Sequence, residues 1–291
     1  MFSGVYTALI TPFKNGKIDF DSLRKLIDNQ CQSGISGIVP CGSTGESSTL
    51  SHQEHEEILE FCAEYVKGRL KVLAGTGSNS TDEALRFTQF AKKVGCDGAL
   101  VVSPYYNKPT QKGLYLHFKT IADNVDIPIV LYNISARTSV NIEPETIATL
   151  CSDCKNIVGI KEASGSLSQM STIKSLVTNI ELISGDDALT LPVLSIGGLG
   201  VISVLSNIIP IEVNALIKSY NNGNIKEAQK IHYKLLPLAR AMFIETNPIP
   251  VKVTANILGM CEQDLRLPLC SMKNENKLKL IDALKSFGLI K

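Results

Sequence analysis

Eight short runs of apolar and β-branched residues recur along this 291-residue chain and alternate with longer stretches of helical period. Each run is continuously apolar, which is typical of parallel strands that are covered on both faces. Eight strands that alternate with helices predict an α/β fold, the (β/α)8 or TIM barrel. The predicted strands span residues 5–10, 37–42, 71–77, 98–106, 128–134, 157–164, 181–187 and 199–206.

An open, doubly wound sheet is the rival fold, but no Gly-x-Gly-x-x-Gly motif follows the first predicted strand. After about residue 210 the strand pattern does not return, and four stretches of helical period follow. We assign the first of these to the eighth barrel helix. The sequence therefore predicts a catalytic barrel domain over residues 1–222 and a helical C-terminal extension over residues 223–291.

Composition narrows the class of protein further. A net charge of +1 favours neither nucleic acid nor an anionic membrane as a partner. No segment approaches the ~20 consecutive apolar residues of a membrane span, and the N-terminal residues do not resemble a signal peptide. Eight cysteines without a secretion signal are typical of reduced thiols. We therefore expect a globular protein located in the cytoplasm.

Lys161 is the most informative residue, because it follows the apolar run Ile157–Ile160 at the end of the sixth predicted strand. Burying an ammonium group there is costly. One interpretation is a lysine whose stem carries the charge out to solvent. The other is a lysine that forms a Schiff base, since an amine attacks a carbonyl only when it is neutral, and desolvation favours that state.

Other polar residues follow other predicted strands, and the strand ends of a barrel meet at one mouth. The Gly42–Glu46 loop either binds a carboxylate or is simply a tight turn. Tyr132 either shuttles protons or is a buried, hydrogen-bonded tyrosine. Arg137 suits a substrate carboxylate or a surface ion pair. Asp186 and Asp187 are either an acid–base pair or, as the simpler interpretation, a helix cap.

Four motifs together are similar to the pyruvate-dependent class I aldolase family, which includes dihydrodipicolinate synthase and N-acetylneuraminate lyase. They are GSTGE at 42–46, SPYYNKP at 103–109, YNISART at 132–138 and GIKEASG at 159–165. The resemblance covers essentially the whole chain. Arg137 favours the synthase branch, which condenses pyruvate with L-aspartate 4-semialdehyde. A lyase acting on N-acetylneuraminate or a 2-keto-3-deoxy sugar is the nearest alternative, and a silent scaffold barrel is a more distant one.

The resemblance implies a role for each site residue. Lys161 would form an imine with pyruvate, Tyr132 would move protons, and Ser43 and Tyr106 would complete a relay, with Tyr106 reaching across a dimer interface. Thr44 would hold the pyruvate carboxylate, helped by the backbone near Ile202, and Gly185 would also belong to the substrate-binding residues. Arg137 would bind the carboxylate of the semialdehyde. The protonated imine is the electron sink, so we expect neither an organic cofactor nor a metal ion.

The resemblance also implies a homotetramer built from two dimers and feedback inhibition by L-lysine. The regulatory site would comprise Ser48, His52, His55, Asn79, Glu83 and Tyr105. Two positions depart from the family pattern. Ser43 replaces the usual threonine and loses the methyl group that restricts its rotamer. Ser135 replaces the usual proline, so the loop that carries Arg137 should be less rigid.

Overall fold

Eight parallel strands close into a barrel in the computed structural model, which describes residues 1–291. Each strand pairs with the next one along the chain, and the last pairs with the first through Gly4 and Gly200. The predicted (β/α)8 barrel is confirmed. The strands are β1 (Gly4–Ala8), β2 (Gly37–Val39), β3 (Lys71–Gly75), β4 (Gly98–Val102), β5 (Ile129–Asn133), β6 (Ile157–Glu162), β7 (Glu181–Ser184) and β8 (Gly200–Ser203).

Helices pack around the barrel and continue into the C-terminal extension. They are α1 (Phe20–Gln32), α2 (His52–Val66), α3 (Thr81–Lys93), α4 (Gln111–Asn124), α5 (Pro144–Asp153), α6 (Leu167–Leu176), α7 (Thr190–Ser195), α8 (Pro210–Asn221), α9 (Ile225–Ala241), α10 (Ile249–Ile257) and α11 (Asn274–Phe287). A one-turn helix, Ser135–Thr138, and three short 3-10 helices, Ser47–Thr49, Asp187–Leu189 and Leu205–Asn207, lie in loops. None of the helices has both the length and the apolar character needed to cross a membrane.

The strands are buried on both faces, which explains their uninterrupted apolar sequences. Tyr6, Leu100 and Ile202 belong to a cluster of ten buried side chains inside the barrel. Neighbouring residues such as Val5 and Val101 face outward and pack against the helices. Both faces therefore contribute hydrophobic burial, as expected for a parallel sheet that helices cover.

Every predicted strand is present, but each prediction extends past the observed C-terminal end of its strand. The fourth was expected to reach residue 106, yet β4 ends at Val102, before Pro104, which has no N–H to donate. The second was expected to reach residue 42, but β2 ends at Val39, and Cys41 has a φ of 55° that is incompatible with a strand. The polar residues beyond the strand ends therefore lie in loops around the mouth.

Two helices follow a serine with a glutamate three positions later, which is the sequence pattern of a capping box. Ser51 and Glu54 form the complete box at the start of α2. At the start of α3 only half of the box forms. The Ser80 hydroxyl accepts from the Glu83 N–H, whereas the Glu83 side chain turns towards Ser78 and His52. The carboxylate is used in a tertiary contact instead of a local one.

The C-terminal extension packs on the barrel through apolar side chains. Leu238 of α9 and Leu284 of α11 are fully buried in the hydrophobic cluster that also contains Leu26 and Val213 of the barrel helices. Residues between α9 and α11 reach the loops at the mouth of the barrel, which places part of the extension beside the candidate site.

Candidate active site

Lys161 and Tyr132 lie side by side at the C-terminal ends of β6 and β5. The parallel register pairs these two residues directly. The Lys161 side chain points into the barrel and is only 6% exposed, so it does not extend along its stem into water. Its Nζ atom lies 4.1 Å from the centroid of the Tyr132 ring. The barrel therefore presents a buried amine in contact with a phenol, as the Schiff-base hypothesis requires.

A buried polar network fixes the end of the strand that carries Lys161. The Glu162 carboxylate points to the opposite face and accepts from the amides of Asn133, at 3.1 Å, and Gln169, at 2.9 Å. It also accepts from the backbone N–H of Ser164 at 2.7 Å. Because these bonds join β5, β6 and α6, they restrict the backbone position from which the Lys161 side chain departs.

Gly185 and Ile202 complete the surroundings of the lysine stem. A Cβ atom built at Gly185 would lie 3.1 Å from Cε of Lys161 and 2.6 Å from Cβ of Ala163. A side chain at Gly185 would therefore occupy the space in which the lysine stem lies. Ile202 is buried in the interior cluster that includes Tyr132. The structure places both predicted residues close to the lysine–tyrosine pair.

The two aspartates that follow β7 have structural partners. Asp186 caps the next helical turn, because its carboxylate accepts from the N–H of Ala188 at 2.8 Å. The Asp187 carboxylate accepts from the Ser203 hydroxyl and from the N–H groups of Val204 and Leu205. Burial raises the pKa of Asp187, and these hydrogen bonds oppose the shift. The capping interpretation is confirmed for Asp186, and Asp187 joins the ends of β7 and β8.

The Gly42–Glu46 loop carries Ser43 and Thr44 to the mouth. Ser43 is half-buried and lines the central cavity. Thr44 is buried, and its hydroxyl oxygen accepts from Nδ2 of Asn247 at 2.9 Å. This bond occupies a lone pair but leaves the hydroxyl proton free. Thr44 can therefore donate to an anionic group.

Arg137 lies on the opposite rim, within the short helix Ser135–Thr138, and lines the same cavity. Its Nη2 atom donates to the backbone oxygen of Asn247 at 2.8 Å. No ion pair involves Arg137, so the surface ion-pair alternative does not apply in the structure. The remaining guanidinium N–H groups are available to a ligand carboxylate.

Tyr105 and Tyr106 are adjacent in the sequence but lie in different environments. Tyr105 lines the cavity, whereas Tyr106 is 90% exposed and does not line it. The φ of Tyr106 is 73°, in the left-handed region that few non-glycine residues occupy. In a single chain the predicted relay therefore lacks Tyr106, and Tyr105 occupies the position nearer the cavity.

Of the residues predicted to bind a regulator, His52 and His55 lie on α2 and Glu83 lies on α3. The Glu83 carboxylate contacts both His52 and the Ser78 hydroxyl, and burial raises its pKa while these two bonds lower it, with a net decrease. His55 donates from Nε2 to the Gly75 carbonyl at 2.8 Å, and burial lowers its pKa to about 4. Ser48 lines the central cavity, and the Asn79 carbonyl accepts from Asn107.

A cavity of about 280 Å³ lies at the mouth and brings some of these groups together. Its wall includes Ser43, Tyr132 and Arg137, together with Gly75, which accepts from His55. Lys161 is not in the wall and lies against the Tyr132 ring instead. The space suits small, polar molecules, with the Tyr132 phenol and the Arg137 guanidinium in its wall.

Asn247 and Lys252 are the site residues to which the sequence analysis gave no role, and both contact the Gly42–Glu46 loop. Asn247 connects Thr44 to Arg137, and its Oδ1 atom is buried without a partner. Glu46 lines the cavity and forms a buried ion pair with Lys252. The pairs Asn247–Thr44 and Lys252–Glu46 join positions about 200 residues apart, which no local pattern predicts.

Fold and site together define a (β/α)8-barrel enzyme with a buried amine at the end of β6. Residues 1–287 match the model of the dihydrodipicolinate synthetase family. The chain is 73% identical over 291 residues to the 4-hydroxy-tetrahydrodipicolinate synthase of Endomicrobium trichonymphae, with both chains fully covered. The chain therefore belongs to the dihydrodipicolinate synthetase family, which confirms the resemblance drawn from its motifs.

Solved structures of relatives have the same fold. The dihydrodipicolinate synthase of Aquifex aeolicus is 50% identical, with 99% of both chains covered and a TM-score of 0.98. The chloride-inhibited Acinetobacter baumannii enzyme, solved with pyruvate, is 38% identical, with both chains fully covered and a TM-score of 0.96. The enzyme of Cyanidioschyzon merolae, solved with lysine bound, is 42% identical, with 99% of both chains covered and a TM-score of 0.96.

Proposed function

We propose that this chain condenses pyruvate with L-aspartate 4-semialdehyde to give 4-hydroxy-tetrahydrodipicolinate, through an imine on Lys161. The observation that carries the proposal is the buried Lys161 amine, 4.1 Å from the centroid of the Tyr132 ring at the mouth of the barrel. The names of the relatives support the same reaction. Its place is lysine and diaminopimelate biosynthesis.

The chemistry needs one nucleophile and a route for protons. The neutral Lys161 amine attacks C2 of pyruvate, and loss of water gives a protonated imine. That imine draws electrons from the methyl carbon, which loses a proton and becomes an enamine. The enamine carbon bonds to the aldehyde carbon of the semialdehyde. The semialdehyde's amino group then displaces Lys161 from the imine carbon, which closes the ring and frees the enzyme.

The groups around the amine have separate tasks in this proposal. The Tyr132 hydroxyl moves protons during loss of water and enamine formation, with Ser43 as the next group in the cavity wall. The Thr44 hydroxyl donates a hydrogen bond to the pyruvate carboxylate, near the backbone at Ile202. Gly185 leaves room for the lysine stem.

Arg137 selects the second substrate by its carboxylate. A guanidinium binds a carboxylate through two parallel hydrogen bonds, whereas the hydroxyl groups of a sugar aldehyde offer no such partner. The position of Arg137 on the cavity rim supports this role. It also disfavours the alternative of an N-acetylneuraminate or 2-keto-3-deoxy-sugar lyase.

The finer proposals concern assembly and regulation. Tyr106 would enter the site of a second copy in a homotetramer, and its 90% exposure in the single chain supports that role. L-lysine would bind at Ser48, His52, His55, Asn79, Glu83 and Tyr105, where the Glu83 carboxylate suits an ammonium group. The eight cysteines are all free thiols, which fits the reducing cytoplasm.

A coupled assay tests the function directly. The purified chain is incubated with pyruvate and either L-aspartate 4-semialdehyde or N-acetylmannosamine, and product is measured in each case. We expect turnover with the semialdehyde and none with the sugar. Turnover with the sugar alone would establish the lyase instead. Repeating the assay with L-lysine, and measuring the mass of the assembly by light scattering, tests the regulatory and oligomeric proposals.

A further inference from the structure

A fully buried ion pair lies directly behind the loop that carries Ser43 and Thr44. The Glu46 carboxylate accepts from Nζ of Lys252 at 2.6 Å, and both side chains are 0% exposed. Burial lowers the pKa of Lys252, and Glu46 opposes that shift. A buried ion pair rarely adds net stability compared with apolar residues, so its presence beside a substrate loop calls for another role.

Glu46 is held in a backbone conformation that disfavours a side chain. Its φ is 56°, in the left-handed region, and its N–H donates to the Ser43 carbonyl at 3.2 Å. The second carboxylate oxygen accepts from the N–H of Arg266 at 3.3 Å. The C-terminal extension therefore holds Glu46 at both oxygens, and through Glu46 it holds the turn that presents Thr44.

Lys252 belongs to a short segment that contacts both sides of the cavity. It lies on α10, and its Nζ atom is 4.3 Å from the centroid of the Phe13 ring. Five residues earlier, Asn247 donates to the Thr44 hydroxyl at 2.9 Å and accepts from Arg137 at 2.8 Å. One segment therefore fixes the loop after β2 at two points and the loop after β5 at one.

We propose that Glu46 and Lys252 are positioning residues that place the Thr44 hydroxyl for the carboxylate of the 2-oxo acid substrate. The pair acts through the loop and touches neither the reacting carbon nor the amine. This inference rests on the function proposed above. It assigns part of substrate recognition to the C-terminal extension, about 200 residues from the loop in the sequence.

The test compares three changes in the full-length enzyme: Thr44→Val, the double variant Glu46→Gln with Lys252→Met, and the triple variant. The double variant removes both charges, so no unpaired buried charge is left. Borohydride trapping measured against pyruvate concentration reports binding of the first substrate alone. We expect the double variant to raise the half-saturating pyruvate concentration about tenfold, the usual effect of one hydrogen bond to a charged group, with kcat reduced less than threefold.

The triple variant shows whether the pair acts through Thr44. If it does, the triple variant resembles Thr44→Val, because residues that act as a unit are not additive. If the increase in half-saturating pyruvate concentration in the triple variant is the product of the increases in Thr44→Val and in the double variant, the inference is overturned. An unchanged pyruvate dependence in the double variant overturns it as well. Should the double variant not fold, Glu46→Gln with Lys252→Gln removes both charges but keeps polar groups that can hydrogen-bond, and it provides the same comparison with and without Thr44→Val.

Leu280→Ala is the control for general loss of stability, because Leu280 is fully buried in α11 of the same extension. It should lower the melting temperature without changing the pyruvate dependence. If it shifts that dependence as much as the double variant does, a specific positioning role is excluded. Failure of the wild-type enzyme to trap pyruvate would instead refute the proposed function itself.

Discussion

Replacing Gly185 by alanine is the smallest change that should displace Lys161. The new Cβ atom would lie 2.6 Å from Cβ of Ala163 and 3.1 Å from Cε of Lys161. Carbon atoms in ordinary contact are about 3.5–4.0 Å apart, so the structure must open by roughly 1 Å near Ala163 and by a few tenths of an ångström near the lysine. Overpacking of this kind costs about 1–3 kcal/mol of stability.

The expected effect on catalysis exceeds the effect on folding. A reacting group that is misplaced by about 1 Å can lose about 100-fold in rate. We therefore expect Gly185→Ala to lower kcat/KM by about 10- to 100-fold and to slow borohydride trapping of pyruvate, while circular dichroism remains that of the wild type. Steady-state kinetics and trapping rates measure the two effects separately.

A second variant separates crowding at Ala163 from crowding at Lys161. Gly185→Ala combined with Ala163→Gly removes the 2.6 Å contact and keeps the 3.1 Å contact. It should recover stability but only part of the trapping rate. Wild-type trapping in Gly185→Ala would show that the space beside the lysine stem has no role in catalysis, and the reasoning would be wrong.

Three further predictions address the other groups. Arg137→Ala should raise the KM for L-aspartate 4-semialdehyde about 10- to 100-fold, because it removes charge-assisted hydrogen bonds to the substrate carboxylate. The KM for pyruvate should change less than about twofold. Equal changes in the two KM values in steady-state kinetics would exclude the assigned role. Tyr132→Phe should slow imine formation about 100-fold or more, and an unchanged trapping rate would remove Tyr132 from the proton route. Stability should fall as the pH drops from about 6.5 towards 4, because burial lowers the pKa of His117 to about 4 and the unfolded chain takes up the proton first. Between pH 7 and 5 the titration of His117 should lower the free energy of unfolding by about 2 kcal/mol. Urea unfolding should show that the His117→Phe variant lacks this decrease. An identical pH dependence in the variant would contradict the assignment.

The barrel could be predicted from the sequence because burial on both faces leaves a plain signal. Runs such as Ile157–Ile160 contain no polar residue, and the helices between them carry caps such as Ser51. The strand ends were predicted too long, since apolar residues continue into the loops. The hairpin of Phe13–Lys14 with Lys17–Ile18 was missed, because two-residue strands are too short for any periodicity.

The types of residue at the site could be predicted from the sequence, but the contacts between them could not. A lysine after an apolar strand left two interpretations open, a stem that reaches solvent or a Schiff base, and the resemblance carried by the motifs favoured the second and supplied its neighbours. The contacts of Asn247 with Thr44 and of Lys252 with Glu46 join the two ends of the chain. Such pairs depend on how the extension packs over the barrel, which no local pattern encodes.

Mass spectrometry of the borohydride-treated enzyme tests the Schiff base at Lys161 most directly. The full-length enzyme is incubated with pyruvate, reduced and digested, with Lys161→Arg treated in parallel. The peptide containing Lys161 should gain about 72 Da, the mass of a reduced pyruvate imine, and the variant should gain nothing. An unmodified Lys161 peptide from folded enzyme, or the same gain on another lysine, would contradict the assignment of the reactive amine.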